Sequence, residues 1–397
     1  MALSLSSSSI LILFLITISL FPYSSKCNNN NNFDDKNKNK MLIMKGMFVF
    51  GSSLVDNGNN NFINNSLAKA NYLPYGLDFP LGPSGRFTNG KNVIDLIGEK
   101  LRLPFIPAFA DPSTKGRRIV HGVSFASGGS GILDDTGSIA GNVISLRKQI
   151  RNFEKVTLPD LEGEIGCKGK KNLKDYLFVV GSGSNDYSFN YFLTGLNHKT
   201  TLQDFTTNLT ISLSHHLKKL YRLGGRKFVL MSINPIGCSP MVRTMVQHST
   251  PTQNRNRNQN QNQNRCIQGL NIAAQLFNNH LKSLVDTMKP QMPGSALLYV
   301  NSYKIIRDII RNPFQKGFKE ASKPCCKVAT LSEGGNGVLC KREGSVCGNR
   351  SNHVFFDGLH PTEAVNIQIA NKAFASTLPT EVYPINIQQL LQLQTTY

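Results

Sequence analysis

The chain has 397 residues, of which 40% are hydrophobic, enough to fill a core and to exclude global disorder, and it has no tryptophan on which to build a recognition surface. Lysine and arginine number 44 against 24 acidic residues, a net charge of +20, yet charged residues make up only 17% of the chain, so the excess reflects a shortage of acids. That imbalance bears on solubility and anionic partners, not on fold, and eight cysteines are too few for a disulfide scaffold.

Residues 1–25 carry no charged side chain, and Ile10 to Phe21 is an apolar run flanked by serines. A membrane span needs roughly 20 apolar residues, so this shorter run reads as the core of a signal peptide over residues 1–26. Export permits disulfides and gives meaning to the glycosylation sequons at Asn64, Asn208 and Asn349. Asn28 to Lys40 is almost wholly polar, so residues 27–43 read as a disordered leader.

The first apolar, β-branched run, Met47–Phe50, exits into Gly51-Ser52-Ser53-Leu54, where a serine would project from a strand end into a cleft. A helical pattern over Val93–Leu101 leads to a second run, Ile119–Phe125, followed by Ala126-Ser127-Gly128-Gly129-Ser130-Gly131-Ile132. Glycines there let backbone N–H groups approach an anion, and the spacing of a dinucleotide fingerprint is absent. After a helical pattern over Val143–Phe153 and a third run, Tyr176–Val180, comes Gly181-Ser182-Gly183-Ser184-Asn185-Asp186. Asn185 could offer its side-chain amide to an oxyanion, or simply close an Asx turn.

A helical pattern over Leu202–Leu223 precedes the fourth run, Phe228–Ile233. Thr252 to Arg265 contains no apolar residue and reads as a surface loop insertion at 252–265. Leu270–Met288 is helical in pattern, and Leu297–Val300 is the fifth run. Cys325, Cys326, Cys340 and Cys347 cluster as a locally stapled loop, without the spacing of a zinc site. Asp357 stands three residues before His360, where it can orient the imidazole. The domain spans 44–378, and 379–397 reads as a C-terminal tail.

Strands alternating with helices predict an α/β fold, a parallel sheet covered on both faces, with its chemistry at the carboxyl ends of the strands. Taken singly, each of these segments is an ordinary turn. Together they supply a nucleophile, oxyanion donors and a base with its orienter, which is a Ser–His–Asp acyl-transfer site.

The segments resemble the plant GDSL esterase/lipase family, a branch of the SGNH hydrolases. FVFGSSLVDNGNNNF is similar to its first block, GRFTNGKNVIDLI to the next segment, GVSFASGGSGI to the second block, and GSND to the third. NPIGCSP and FFDGLHPTEAVN resemble later blocks, so the likeness covers roughly residues 44–378 in order. It implies a flavodoxin-like three-layer α/β/α sandwich with a five-stranded parallel sheet, in agreement with the five runs. It further implies Ser53 as nucleophile, His360 as general base and Asp357 as its orienter. Gly129, Asn185 and the Ser53 backbone N–H would be the oxyanion donors, with no cofactor and no metal. Two positions depart from the pattern: Ser52 stands where the family has Asp, and Ser124 where Asn is usual. A serine can accept a hydrogen bond but carries no charge, so a looser nucleophile turn is expected.

The expected function is a secreted carboxylic ester hydrolase acting on lipid or acylated cell-wall esters. The alternative is a catalytically weakened or inactive relative that binds glycan or lipid, suggested by GSSL in place of GDSL. Lys170-Lys171, Arg117-Arg118 and Lys218-Lys219 are short, scattered clusters, so no nucleic-acid partner is expected. The positive charge fits an electrostatic association with anionic cell wall or lipid surfaces, and the chain is expected to be a monomer.

Overall fold

The computed structural model describes residues 44–165, 173–193, 199–249, 266–330 and 333–393. The expected signal peptide, the leader and the insertion at 252–265 lie outside them. Strand β1 (Gly46–Gly51) is buried at every position. Helix α1 (Val93–Lys100) opens on a capping box in which the Asn92 side chain accepts from Asp95 N–H and Asp95 accepts from Asn92 N–H. Strand β2 (Gly122–Ser124) is followed by α2 (Leu146–Asn152), which continues through a π turn over Phe153–Thr157 into α3 (Leu158–Glu164). Next come β3 (Tyr176–Gly181), a π-turned segment over Asp186–Leu193, α4 (Leu202–Arg222), β4 (Lys227–Met231) and α5 (Pro240–Ser249). Helix α6 (Gln268–Met288), β5 (Ala296–Val300) and α7 (Ser302–Arg311) complete the repeating part. The C-terminal part holds β6 (Glu320–Pro324), β7 (His353–Phe355), α8 (Glu363–Ala375), β8 (Val382–Tyr383) and α9 (Ile387–Gln392).

The main sheet runs β2-β1-β3-β4-β5-β8. Its first five strands are parallel, and β8 is antiparallel to β5. The expected count of five is therefore one short, and residues 379–393, read as part of a tail, pack onto the domain. Val382, Ile387 and Leu390 are buried in the core, and Asn301 N–H donates to Glu381 C=O at 2.8 Å. A two-residue strand is too short to show a period of two, which is why the pattern hid it.

Alternation along the strands divides the core. Phe48, Phe50, Phe178 and Phe228 pack with Phe125, Phe153 and helices α2, α4 and α6 on one side. Met47, Val49, Leu177, Val179, Val229 and Leu298 face α1, α7, α8 and α9 on the other. The sheet is thus covered on both faces, and its order reverses between β1 and β3. At that switch point Gly51 passes so close to β3 that a Cβ would sit 2.1 Å from Gly181 C=O, and its φ is +147°. Only glycine fits there.

Three disulfides occur among the described residues. Cys325–Cys347 and Cys326–Cys340 staple the loop between β6 and β7, and Cys238–Cys266 closes the base of the insertion. Chain-entropy estimates put each closure at about 3 kcal/mol. Asn64, Asn208 and Asn349 are all exposed.

Candidate active site

Ser53 opens a short 3₁₀ turn, Ser53–Val55, at the carboxyl end of β1. Its Oγ lies 2.8 Å from His360 Nε2. His360 and Asp357 sit on the turn between β7 and α8. His360 Nδ1 is 2.8 Å and 3.0 Å from the two Asp357 carboxylate oxygens. A carboxylate only accepts, so Nδ1 carries the hydrogen and Nε2 offers its lone pair to the serine hydroxyl.

The Asp357 carboxylate is wholly buried and well satisfied. Its Oδ1 accepts the N–H groups of Leu359 and His360 at 2.8 and 2.7 Å, and its Oδ2 accepts the Tyr75 hydroxyl at 2.6 Å. The imidazole leans on the Phe87 ring, centroids 4.9 Å apart. Thr88 Oγ1 holds Pro361 C=O at 3.0 Å, fixing the chain beyond His360.

The glycine loop after β2 is gripped from both ends by two buried aspartates. Asp56 accepts Gly58 and Asn59 N–H on Oδ1 and Gly128 N–H on Oδ2, at 2.8–2.9 Å. Asp186 accepts Ile132 and Leu133 N–H and the Thr136 hydroxyl, at 2.7–3.0 Å. Burial outweighs these donors and pushes both carboxyls up to about 6. Between the grips, Gly129 N–H and Ser53 N–H donate to no acceptor among the described residues. Asn185 spends one amide hydrogen on Ser130 C=O at 2.8 Å and keeps the other. Gly129 has φ +83°, and a Cβ there would lie 3.0 Å from Ala140 Cβ.

The β1 exit is tied down by Gln149, whose Oε1 accepts Gly51 N–H and whose Nε2 donates to Gly51 C=O, both at 2.8 Å. Asn59 and Asn60, turn formers by composition, are buried brackets that donate to Ser124, Ala126, Ala68 and Gly128 carbonyls. Ser124 donates to Val55 C=O at 3.2 Å. Ser52 is buried, and its hydroxyl has no hydrogen-bond partner among the described residues. Beside it, Ser182 Oγ is also unpartnered, in a small cavity they share.

Tyr75 and Gln149 escape sequence reasoning because each is an ordinary residue in an ordinary stretch, brought to the site only by folding; Phe87 lies within GRFTNGKNVIDLI, but nothing local announces its contact with the imidazole. Asp56 and Asp186 carry a fainter signal: each is an acid inside a segment singled out for other residues. A cleft opens in front of Ser53 and His360. Its walls include Leu54, Pro235, Ile236, Ile306 and Leu359, with Asn185 and Ser188 among its polar groups. The arrangement can deprotonate a hydroxyl and offer N–H donors beside it, against an apolar wall.

Comparison with known proteins gives a consistent picture. Residues 47–373 match the family model described as GDSL-like lipase/acylhydrolase. A GDSL esterase/lipase of Arabidopsis thaliana is 41% identical over 358 residues, covering 87% of each chain. A second from the same plant is 38% identical over 354 residues, with 87% of this chain and 89% of its own covered. A third is 37% identical over 352 residues, covering 87% and 91%.

Proposed function

The chain belongs to the GDSL-like lipase/acylhydrolase family, an ester-hydrolysing hydrolase, and from that premise we propose a secreted serine carboxylesterase or lipase working through Ser53, His360 and Asp357. The observation that carries this reading is the 2.8 Å contact between Ser53 Oγ and His360 Nε2, residues 307 positions apart. Ser53 attacks the acyl carbonyl while His360 takes its proton, and Asp357 holds the imidazole in the tautomer that can do so. The tetrahedral oxyanion is received by the N–H groups of Ser53 and Gly129 and the free amide hydrogen of Asn185. Each such donor is worth roughly 3 kcal/mol of barrier. His360 then protonates the departing alcohol, and water attacks the acyl-enzyme by the same route. The apolar wall of the cleft favours an acyl chain, as in lipid or acylated cell-wall esters.

Secretion rests on the apolar run at Ile10–Phe21 and on the exposure of the three sequon asparagines, which we read as glycosylation acceptors. No described helix is long and apolar enough to cross a membrane. The +20 charge would hold the protein to anionic wall polymers or lipid head groups, an attachment that rising salt should release. A binding protein without turnover has nothing of its own in its favour, since Ser52 leaves the Ser53–His360 contact intact.

The test is hydrolysis of p-nitrophenyl esters, a lipid and an acetylated polysaccharide by the purified protein. Ser53→Ala should abolish turnover on every ester the wild type cleaves. Equal rates for the two proteins would overturn the assignment.

A further inference from the structure

The Asp357 carboxylate has a donor that lies outside its own turn. Tyr75 reaches it from a position 282 residues earlier, with an O–H···O distance of 2.6 Å, the length of a charge-assisted bond. The phenol is wholly buried, boxed in by the rings of Tyr72, Phe87 and Phe356. Its oxygen in turn accepts Cys340 N–H at 3.0 Å. Cys340 is bonded to Cys326, so a disulfide-closed loop stands behind the tyrosine. Tyr72 binds the same loop by donating to Cys340 C=O at 2.9 Å, but makes no hydrogen bond to Asp357. Phe87 packs against both the Tyr75 ring and the imidazole.

We propose that Tyr75 is a positioning residue for the Ser53–His360–Asp357 site, setting the orientation and the basicity of the Asp357 carboxylate and anchoring it to the Cys326–Cys340 loop. The proposal rests on the hydrolase reading above. Asp357 Oδ2 is shared by two donors, the Tyr75 hydroxyl and His360 Nδ1–H. The phenol draws charge from the oxygen that faces the imidazole, which moderates how strongly Asp357 stabilises imidazolium. It also fixes the rotation of the carboxylate, so both oxygens face their donors at once. Burial, with the Asp357 charge next to it, holds the Tyr75 phenol well above its ordinary range, so it stays a donor wherever the enzyme works.

The consequence has a sign. Without the phenol, Asp357 Oδ2 keeps more of its charge and holds the imidazolium more firmly. The acid limb of the pH–kcat/KM profile should then move upward. Partial transmission of the lost hydrogen bond through the carboxylate gives an upward move of roughly 0.5–1 pH unit. Looser orientation should cost kcat about 10-fold, in the range typical of partners behind a reacting group, with KM within about twofold.

The experiment measures pH–rate profiles of p-nitrophenyl ester hydrolysis for wild type, Tyr75→Phe, Tyr72→Phe and Ser53→Ala. Tyr75→Phe should show the upward move and the kcat loss, while Tyr72→Phe keeps the wild-type profile. A second measurement covers the case in which Tyr75→Phe does not fold. Wild type grown with 3-fluorotyrosine carries a more acidic phenol, a stronger donor, and its acid limb should move downward. An unmoved limb in both proteins, or in the fluorinated protein alone if the variant cannot be purified, overturns the role of Tyr75. If Ser53→Ala keeps the wild-type rate, the hydrolase reading itself falls. If Ser53→Ala is inactive while Tyr75→Phe behaves as wild type, only the present inference falls.

Discussion

Asp56 Oδ2 accepts Gly128 N–H at 2.9 Å, joining the turn that carries Ser53 to the glycine loop 72 positions downstream. Because Asp56 Oδ1 holds Gly58 and Asn59 at the same time, one buried carboxylate sets the distance between the serine and the Gly129 N–H. Gly128 N–H, once taken, is not available to an oxyanion, and under the proposed mechanism Gly129 N–H is the donor left for it.

Replacing Asp56 with Ala removes three acceptor contacts and leaves three buried N–H groups unpaired. Unsatisfied buried donors cost about 1–3 kcal/mol each, partly relieved by water or relaxation. A loss of about 3 kcal/mol in unfolding free energy is expected, together with at least a 10-fold fall in kcat/KM. Denaturant unfolding alongside ester hydrolysis checks both, and a stable variant of unchanged rate would contradict the grip described here.

Asp186 provides a pH signature. Burial, opposed by the Leu133 and Ile132 N–H groups and the Thr136 hydroxyl, pushes its carboxyl up to about 6 from 3.8. The native state therefore holds this proton more tightly than the unfolded chain does. Its contribution to stability is complete below about pH 4 and is lost as pH rises through about 6, an interval worth about 3 kcal/mol. Asp186→Asn cannot titrate. The stability of wild type relative to this variant should fall by about that amount between pH 4 and pH 7 in urea unfolding, and a constant difference would refute the shift.

Under the proposed mechanism, Asn185→Ala removes one oxyanion donor, the amide hydrogen that Asn185 does not spend on Ser130. The expected loss is about 100-fold or more in kcat with little change in KM, because the bond forms only as charge develops. Gly129→Ala should act similarly for a different reason: its φ of +83° is strained for alanine, and the new methyl meets Ala140. Steady-state kinetics separate these effects from weakened binding, which would raise KM instead.

Ser52→Ala should be nearly silent. The Ser52 hydroxyl makes no hydrogen bond among the described residues, whereas its N–H bond to Gly181 C=O at 3.1 Å survives any side chain other than proline. Activity within about threefold of wild type is expected, with stability changed by less than about 1 kcal/mol, as for substitutions that break no bond. A large loss of turnover would move the nucleophile's role, or its support, onto Ser52.

Much of the fold could be read from the residues, and for identifiable reasons. Tyr176–Gly181 and Ala296–Val300 are continuous apolar strands buried on both faces, and such runs are visible without a structure. The same holds for Leu202–Arg222, whose length and apolar spacing announce a helix. No helical pattern named from the residues covers α3, α5, α7 or α8, and α9 falls within the stretch read as a tail. The pair Val382–Tyr383 was missed because a strand of two residues has no pattern of its own; only β5 beside it makes it one.

The linear order of residues determined the chemical vocabulary: a serine after the first strand, a glycine loop after the second, an asparagine after the third, and Asp357 three places before His360. Those features are local, set by backbone preference and side-chain type within a few positions. Tertiary structure alone decided that Ser53 meets His360, that Asp56 and Asp186 brace the glycine loop, and that Tyr75 and Gln149 stand behind the reacting groups. Each of these contacts spans tens to hundreds of positions. No local propensity encodes such a distance; it is closed by burying both faces of one sheet, which brings the strand ends together whatever their separation along the chain.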